Sequence, residues 1–162
     1  MTDFEKRLEK AIERGQRTSD ARARAEAERA LNEQELRRLH TQYRLELSEH
    51  IEQGLRRLTT HLLGFRFETV ASERGWGAAV SRDDMGITDR GTRSNFFSRL
   101  EMTIRAQSEC NVLELSARAT IRNREIFNRT HFERLGEVDL HAFTETIDRW
   151  LLDFAEIYAA KN

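Results

Sequence analysis

The sequence predicts an α+β fold: a long N-terminal helix, an antiparallel meander of four to five strands, and a C-terminal amphipathic helix packed on one sheet face. Three observations carry this. About sixty residues before Gly64 follow helical spacing. From Phe65 to about Leu135 the apolar residues alternate with period two. From Leu140 they return to helical spacing.

The first element is helical throughout, with one expected interruption. Phe4, Leu8, Ala11 and Ile12 share a helix face, and Gly15 to Asp20 is the expected break before a second helix capped by Thr18, Ser19 or Asp20. Residues 21–30 alternate alanine with Arg and Glu, which gives strong helix propensity but little to bury. From Leu36 a sharper stripe follows: Leu36, Leu39, Tyr43, Leu47, Ile51, Leu55, Leu58 and Leu62. Leu36, Leu47 and Leu58 recur every eleven residues, which suits a straight helix lying on a sheet, or a short helix pair, better than a long leucine-zipper coil. A helix over residues 20–63 would span roughly 65 Å at 1.5 Å per residue, against roughly 40 Å for a domain of this size. Residues 1–35 are therefore expected to be a projecting or oligomerising segment, and 36–162 a two-layer domain.

Phe65 and Phe67 open the first strand, and Trp76, Ala78 and Val80 mark the second. Two longer strands place Phe96, Leu100, Met102 and Ile104, then Leu113, Leu115, Ala117, Ala119 and Ile121, on one face. Asn123-Arg124 is the expected hairpin turn, and Ile126 to Phe132 the fifth strand. Such clean alternation indicates an antiparallel sheet with one covered face. The last helix carries Leu140, Phe143, Ile147, Trp150, Leu151, Phe154 and Tyr158 on one broad face, with Asp139 as its cap.

Charge argues against a generally basic nucleic-acid binder: the 27 basic and 28 acidic side chains leave a net charge of −1. Residues 137–162 alone are one-signed, with two basic and six acidic side chains. Cys110 is the single cysteine, so neither an internal disulfide nor a thiolate metal cluster is expected. The charged start without an apolar segment, and the lack of any run near 18 apolar residues, give the expectation of a cytoplasmic protein without a membrane span.

Three places could carry function. The first is the N-terminal helix, with Phe4, Leu8, Ile12, Leu36 and Leu39 as partner-binding residues. The second is the outer sheet face, where Arg99, Arg105, Arg118, Arg122 and Arg129 would contact an anion or nucleic acid, His131 beside them; cross-strand ion pairing is the plainer use of such a face. The third is an expected loop over 81–94 holding Asp83, Asp84, Asp89, Arg90 and Arg93, whose spacing is not that of a calcium loop. No nucleophile elbow, phosphate loop, dinucleotide fingerprint or zinc-protease motif is present. The leading expectation is a non-enzymatic interaction protein that self-associates, with a dimer favoured, or docks a partner through the long helix, without cofactor or metal. An anion- or nucleic-acid-binding module is the alternative. A small ligand-binding domain or enzyme using the 81–94 segment is the third.

Overall fold

The computed structural model describes residues 2–161 and shows the expected α+β architecture: a long N-terminal helix, five antiparallel strands and a C-terminal helix. Helix α1 runs Asp3–His61 without a break. The strands are β1 (Arg66–Ser72), β2 (Gly75–Ile87), β3 (Arg93–Arg105), β4 (Val112–Ile121) and β5 (Arg124–Arg134), and helix α2 is Leu140–Lys161. The chain divides into two compact units, one ending at Arg38 and one beginning at Leu39.

In the first unit the helix continues through the expected break. Thr2 Oγ1 accepts the Glu5 amide at 3.3 Å, and Thr2 and Glu5 have capping-box spacing, a start signal that the periodicity does not register. Gly15 lies inside the helix with nothing within 4 Å of where its Cβ would be, and Thr18 turns its hydroxyl back to the Arg14 carbonyl instead of capping a new helix. Flanking residues of good helix propensity outweigh one glycine, which costs only about 1 kcal/mol in a helix.

In the second unit the five strands form a meander in sequence order, every neighbouring pair antiparallel. The register stacks the inner-face residues in rows: Val80, Leu100, Ala119, Phe127; Ala78, Met102, Ala117, Arg129; Trp76, Ile104, Leu115, His131. Two helical stretches cover this face. Residues from Leu39 onward in α1 lie over β1–β3, where Arg44 stacks on Trp76 and Arg56 on Phe67, at 3.9 and 4.0 Å from the ring centres. Helix α2 lies over β4 and β5, with Phe143 edge-on to His131 and Asp153 bonded to Arg129. The helices run in the same direction, since His50 meets Asp148 and, one turn on, Gly54 meets Leu151. Phe65, Phe154 and Tyr158 close one end of the core as an aromatic cluster.

The hairpins show where the local pattern misleads. Strand β2 continues to Ile87 and β3 begins at Arg93, so the expected 81–94 loop is a β-ribbon with a short tip. Thr88 and Thr92 close the tip through a backbone bond and a 2.7 Å hydroxyl pair, and Gly91 takes the left-handed conformation (φ 76°) that a three-residue hairpin loop needs. Polar residues on both sides of the ribbon hide it from a pattern that depends on one buried face. The β4–β5 turn centres on Arg122 (φ 50°) and Asn123 (φ 70°), one residue earlier than the sequence suggests. Asn123 also extends the sheet: its amide and its Oδ1 pair with Phe97, and its Nδ2 donates to the Asn95 carbonyl.

Two glycines give opposite predictions. Gly15→Ala should stabilise the first half of α1 by about 0.5–1 kcal/mol, read as slower amide exchange there. No gain would mean that the helix is interrupted at this position. Gly77→Ala should do the reverse and lower the melting temperature of the sheet, because its Cβ would sit 2.0 Å from the Met102 carbonyl oxygen, a backbone atom that cannot swing away.

Candidate functional surfaces

The N-terminal segment of α1 is solvent-exposed from Thr2 to Glu35. Within it Phe4 is 70% exposed, Leu8 48% and Ile12 53%, at i, i+4 and i+8, so one face presents a row of large apolar side chains to water. Leu36 and Leu39 are half-buried. Along the rest of the segment, Arg and Glu alternate with alanine, and Arg17 and Glu13 form an i, i+4 pair at 4.0 Å. Such a surface can pack against another helix. It offers no convergent polar groups for catalysis.

The outer sheet face holds Arg99, Arg105 and Arg118, and two of these are already paired. Arg99 reaches across β2 to Glu68 on β1, passing over Ala79 and Ser81, whose small side chains leave room. Arg105 meets Glu114 at 3.3 Å. Arg118 makes no ion pair among the described residues. The other two arginines are elsewhere, because a strand places its side chains by parity and register. Arg129 shares a row with Ala117 and Met102 on the helix-covered face, where it bonds to Asp153 at 2.6 Å. His131 is on that face too, bonded to Glu133 at 2.7 Å. Arg122 lies in the turn, with its guanidinium 4.6 Å above the Phe96 ring.

A hollow of about 300 Å³ opens on the outer face across all five strands. Gly75 provides its side-chain-free floor, Arg74, Arg105 and Arg118 its positive charge, Glu101, paired with Arg118 in the β3–β4 register, a carboxylate, and Thr103, Ser116 and Thr130 hydroxyl groups. Phe132, on β5 of this face, is the exposed aromatic there that parity alone could have flagged.

The acidic residues of the 81–94 segment do not converge. Asp83 faces Asn95 and Arg66, whereas Asp84, on the opposite side of the ribbon, holds Arg82 at 2.9 Å. Asp89 and Arg90 are exposed at the tip, and Arg93 begins β3. Among the described residues no group of three His, Cys, Asp or Glu side chains is placed to hold a metal ion. Arg82 has a structural task that its sequence neighbours did not reveal: its Nη1 donates to the Leu63 carbonyl at 2.6 Å, tying the end of α1 to β2. The Asp84 hydrogen bond raises its pKa further, so it stays charged. Met85 and Ile87 are exposed on one side of the same ribbon. Cys110 is an exposed free thiol.

His40 is the buried polar group of α1, 3% exposed, with Nε2 3.1 Å from the Arg105 carbonyl oxygen. Burial lowers its pKa; the Arg105 carbonyl opposes this, and the nearby Arg44 charge adds to the lowering. A neutral ring that donates from Nε2 fits the site. A histidine whose folded pKa lies below the unfolded 6.5 takes up fewer protons folded than unfolded. Its contribution is full above pH 6.5, declines as pH falls from there toward the folded pKa, and then levels off. His40→Gln, which keeps a donor without titrating, should flatten that part of the stability–pH curve. Urea titrations of both proteins between pH 7.5 and 5 check it, and parallel curves would contradict this account.

No protein-family profile matches the chain, and no curated protein or solved structure matches it. No helix among the described residues is long and apolar enough to cross a membrane.

Proposed function

We propose that this chain is a non-enzymatic interaction protein that self-associates through the exposed N-terminal part of α1. The supporting observation is the helical run from Asp3 to Glu35, exposed throughout, with Phe4, Leu8 and Ile12 in a row on one face. Helices in proteins draw most of their stability from a packed amphipathic face, and this segment has such a face without a cover. Association with a second copy supplies that cover. The single free thiol Cys110 suits a reducing cytoplasmic setting.

Light scattering of the full chain, and of a chain lacking residues 1–30, tests the proposal. The full chain should be a dimer and the shortened chain a folded monomer. An unchanged association state would refute it. In the full chain, Leu8→Glu combined with Ile12→Glu should weaken association by at least about 100-fold, since each buried aliphatic side chain contributes about 1.5–3 kcal/mol.

The hollow on the outer sheet face favours a second reading, anion binding, because Arg118 faces it without an ion-pair partner among the described residues. A polyanion such as heparin should then bind at low salt, and Arg118→Ala should abolish most of that binding. No binding at low salt removes this reading.

A further inference from the structure

The self-association proposed above leaves the direction of the helix pair open, and the charge pattern of α1 bears on it. Residues 6–24 carry seven basic and three acidic side chains, a net of +4. Residues 26–35 carry one basic and four acidic, a net of −3. Asp3 and Glu5 precede these blocks, and Arg37 and Arg38 follow them. The helix therefore reads negative, positive, negative, positive from its start to Arg38. The segment is exposed up to Glu35, so these charges lie on a surface that a partner can meet.

In a parallel, in-register pair, every block would face its own sign. Turned end for end about Arg22, Lys10, Arg14 and Arg17 of one copy lie along Glu26, Glu28, Glu33 and Glu35 of the other, while Lys6 and Arg7 come beside Arg37 and Arg38. Like charges opposed across an interface are unfavourable, and helix pairs use this to fix orientation.

The apolar positions accept that arrangement. Phe4 and Leu39 are 35 positions apart, and Leu8 and Leu36 are 28, which are whole numbers of heptads. Each pair therefore keeps one side of a helix wound at 3.5 residues per turn. The two pairs share a midpoint near Arg22. A two-fold axis there puts Leu8 beside the second copy's Leu36, and Phe4 beside its Leu39. Arg22 then meets its own counterpart at the axis, a local repulsion that, with the one at Lys6 and Arg7, the pairing of 10–17 with 26–35 must outweigh.

We infer that the occupant of this helix face is a second copy of the chain running antiparallel, with its register centred near Arg22. This rests on the self-association reading, and one experiment separates the two. In a Cys110→Ser background, Leu8→Cys and Leu36→Cys proteins carrying different tags are oxidised alone and mixed, with light scattering in parallel. The expected result is a Leu8–Leu36 mixed disulfide, and no Leu8–Leu8 disulfide. A Leu8–Leu8 disulfide, or a dimer in which neither bond forms, overturns the antiparallel register and leaves self-association standing. A monomer at all concentrations overturns both. Charge reversal gives a readout without cysteine: Arg14→Glu with Arg17→Glu, and separately Glu26→Arg with Glu28→Arg, should each lose dimer alone and regain it when mixed. Failure of the mixture to recover contradicts the antiparallel pairing.

Discussion

The space between the helices and the sheet is the constraint on which the second unit depends. Two helical stretches must share one face of five strands, and small residues make that possible. Ala78, Ala117 and Ala119 are fully buried on the inner face, and Gly54 sits where a Cβ would lie 2.5 Å from Leu151 Cδ1. These positions let α1 and α2 approach the sheet and each other while Phe143, Phe154, Leu100 and Met102 fill the remaining volume. Each large apolar side chain removed from water contributes about 1.5–3 kcal/mol, so the unit has its main source of stability without disulfide or metal. The aromatic cluster of Phe65, Phe154 and Tyr158 is an extension of the same packing.

The opposite face of the sheet follows different rules. Its ion pairs, Arg99 with Glu68 and Arg105 with Glu114, are solvent-exposed, and such pairs contribute about 0–1 kcal/mol each. They order the surface more than they stabilise it. Shape on this face comes from what is missing: Gly75 and Gly77 have no side chains, β2 and β3 backbones approach closely, and a hollow remains beside Gly75 among arginines, hydroxyls and Glu101. The distal β2–β3 ribbon lies beyond the last β1 and β4 partners of its strands, Ser81 and Arg99. There Asn123 takes over the pairing of β3 with side-chain and backbone bonds. One turn residue with positive φ thus both reverses the chain and protects a strand edge.

The N-terminal unit owes its form to local effects. A capped start, abundant alanine, and spaced Arg and Glu favour helix without any buried face. Its sequence is ordered in a second sense, because charge sign changes in blocks along the axis. Block charge does little for a single helix in water. It matters when two helices lie side by side, where blocks of like or unlike sign favour one direction over the other.

Much of the architecture was legible in the sequence because periodicity reports burial directly. The alternation in β3 and β4, the stripe from Leu47 to Leu58 and the broad face of α2 each announce a buried side, and those sides are buried apart from half-buried Phe96 and Leu140. Elements without a one-sided burial pattern were not legible. The ribbon over 81–94 has polar groups on both sides and reads as a loop, while Gly15 to Asp20 has turn-forming residues that continuous helix overrides. The candidate sites divided the same way. Phe4, Leu8 and Ile12 are exposed, as helix spacing and sparse apolar residues imply. Arg129, His131 and Arg122 left the outer face because a bulge between Ala119 and Thr120 and the turn beside it reset which side each residue takes. The sequence by itself determined the class of fold and the charge blocks of the first helix, which are read from local periodicity and composition. Tertiary structure alone decided which arginines share a face, which are neutralised, and where the hollow opens. Those outcomes depend on register between strands, which is set by pairing over long stretches of chain.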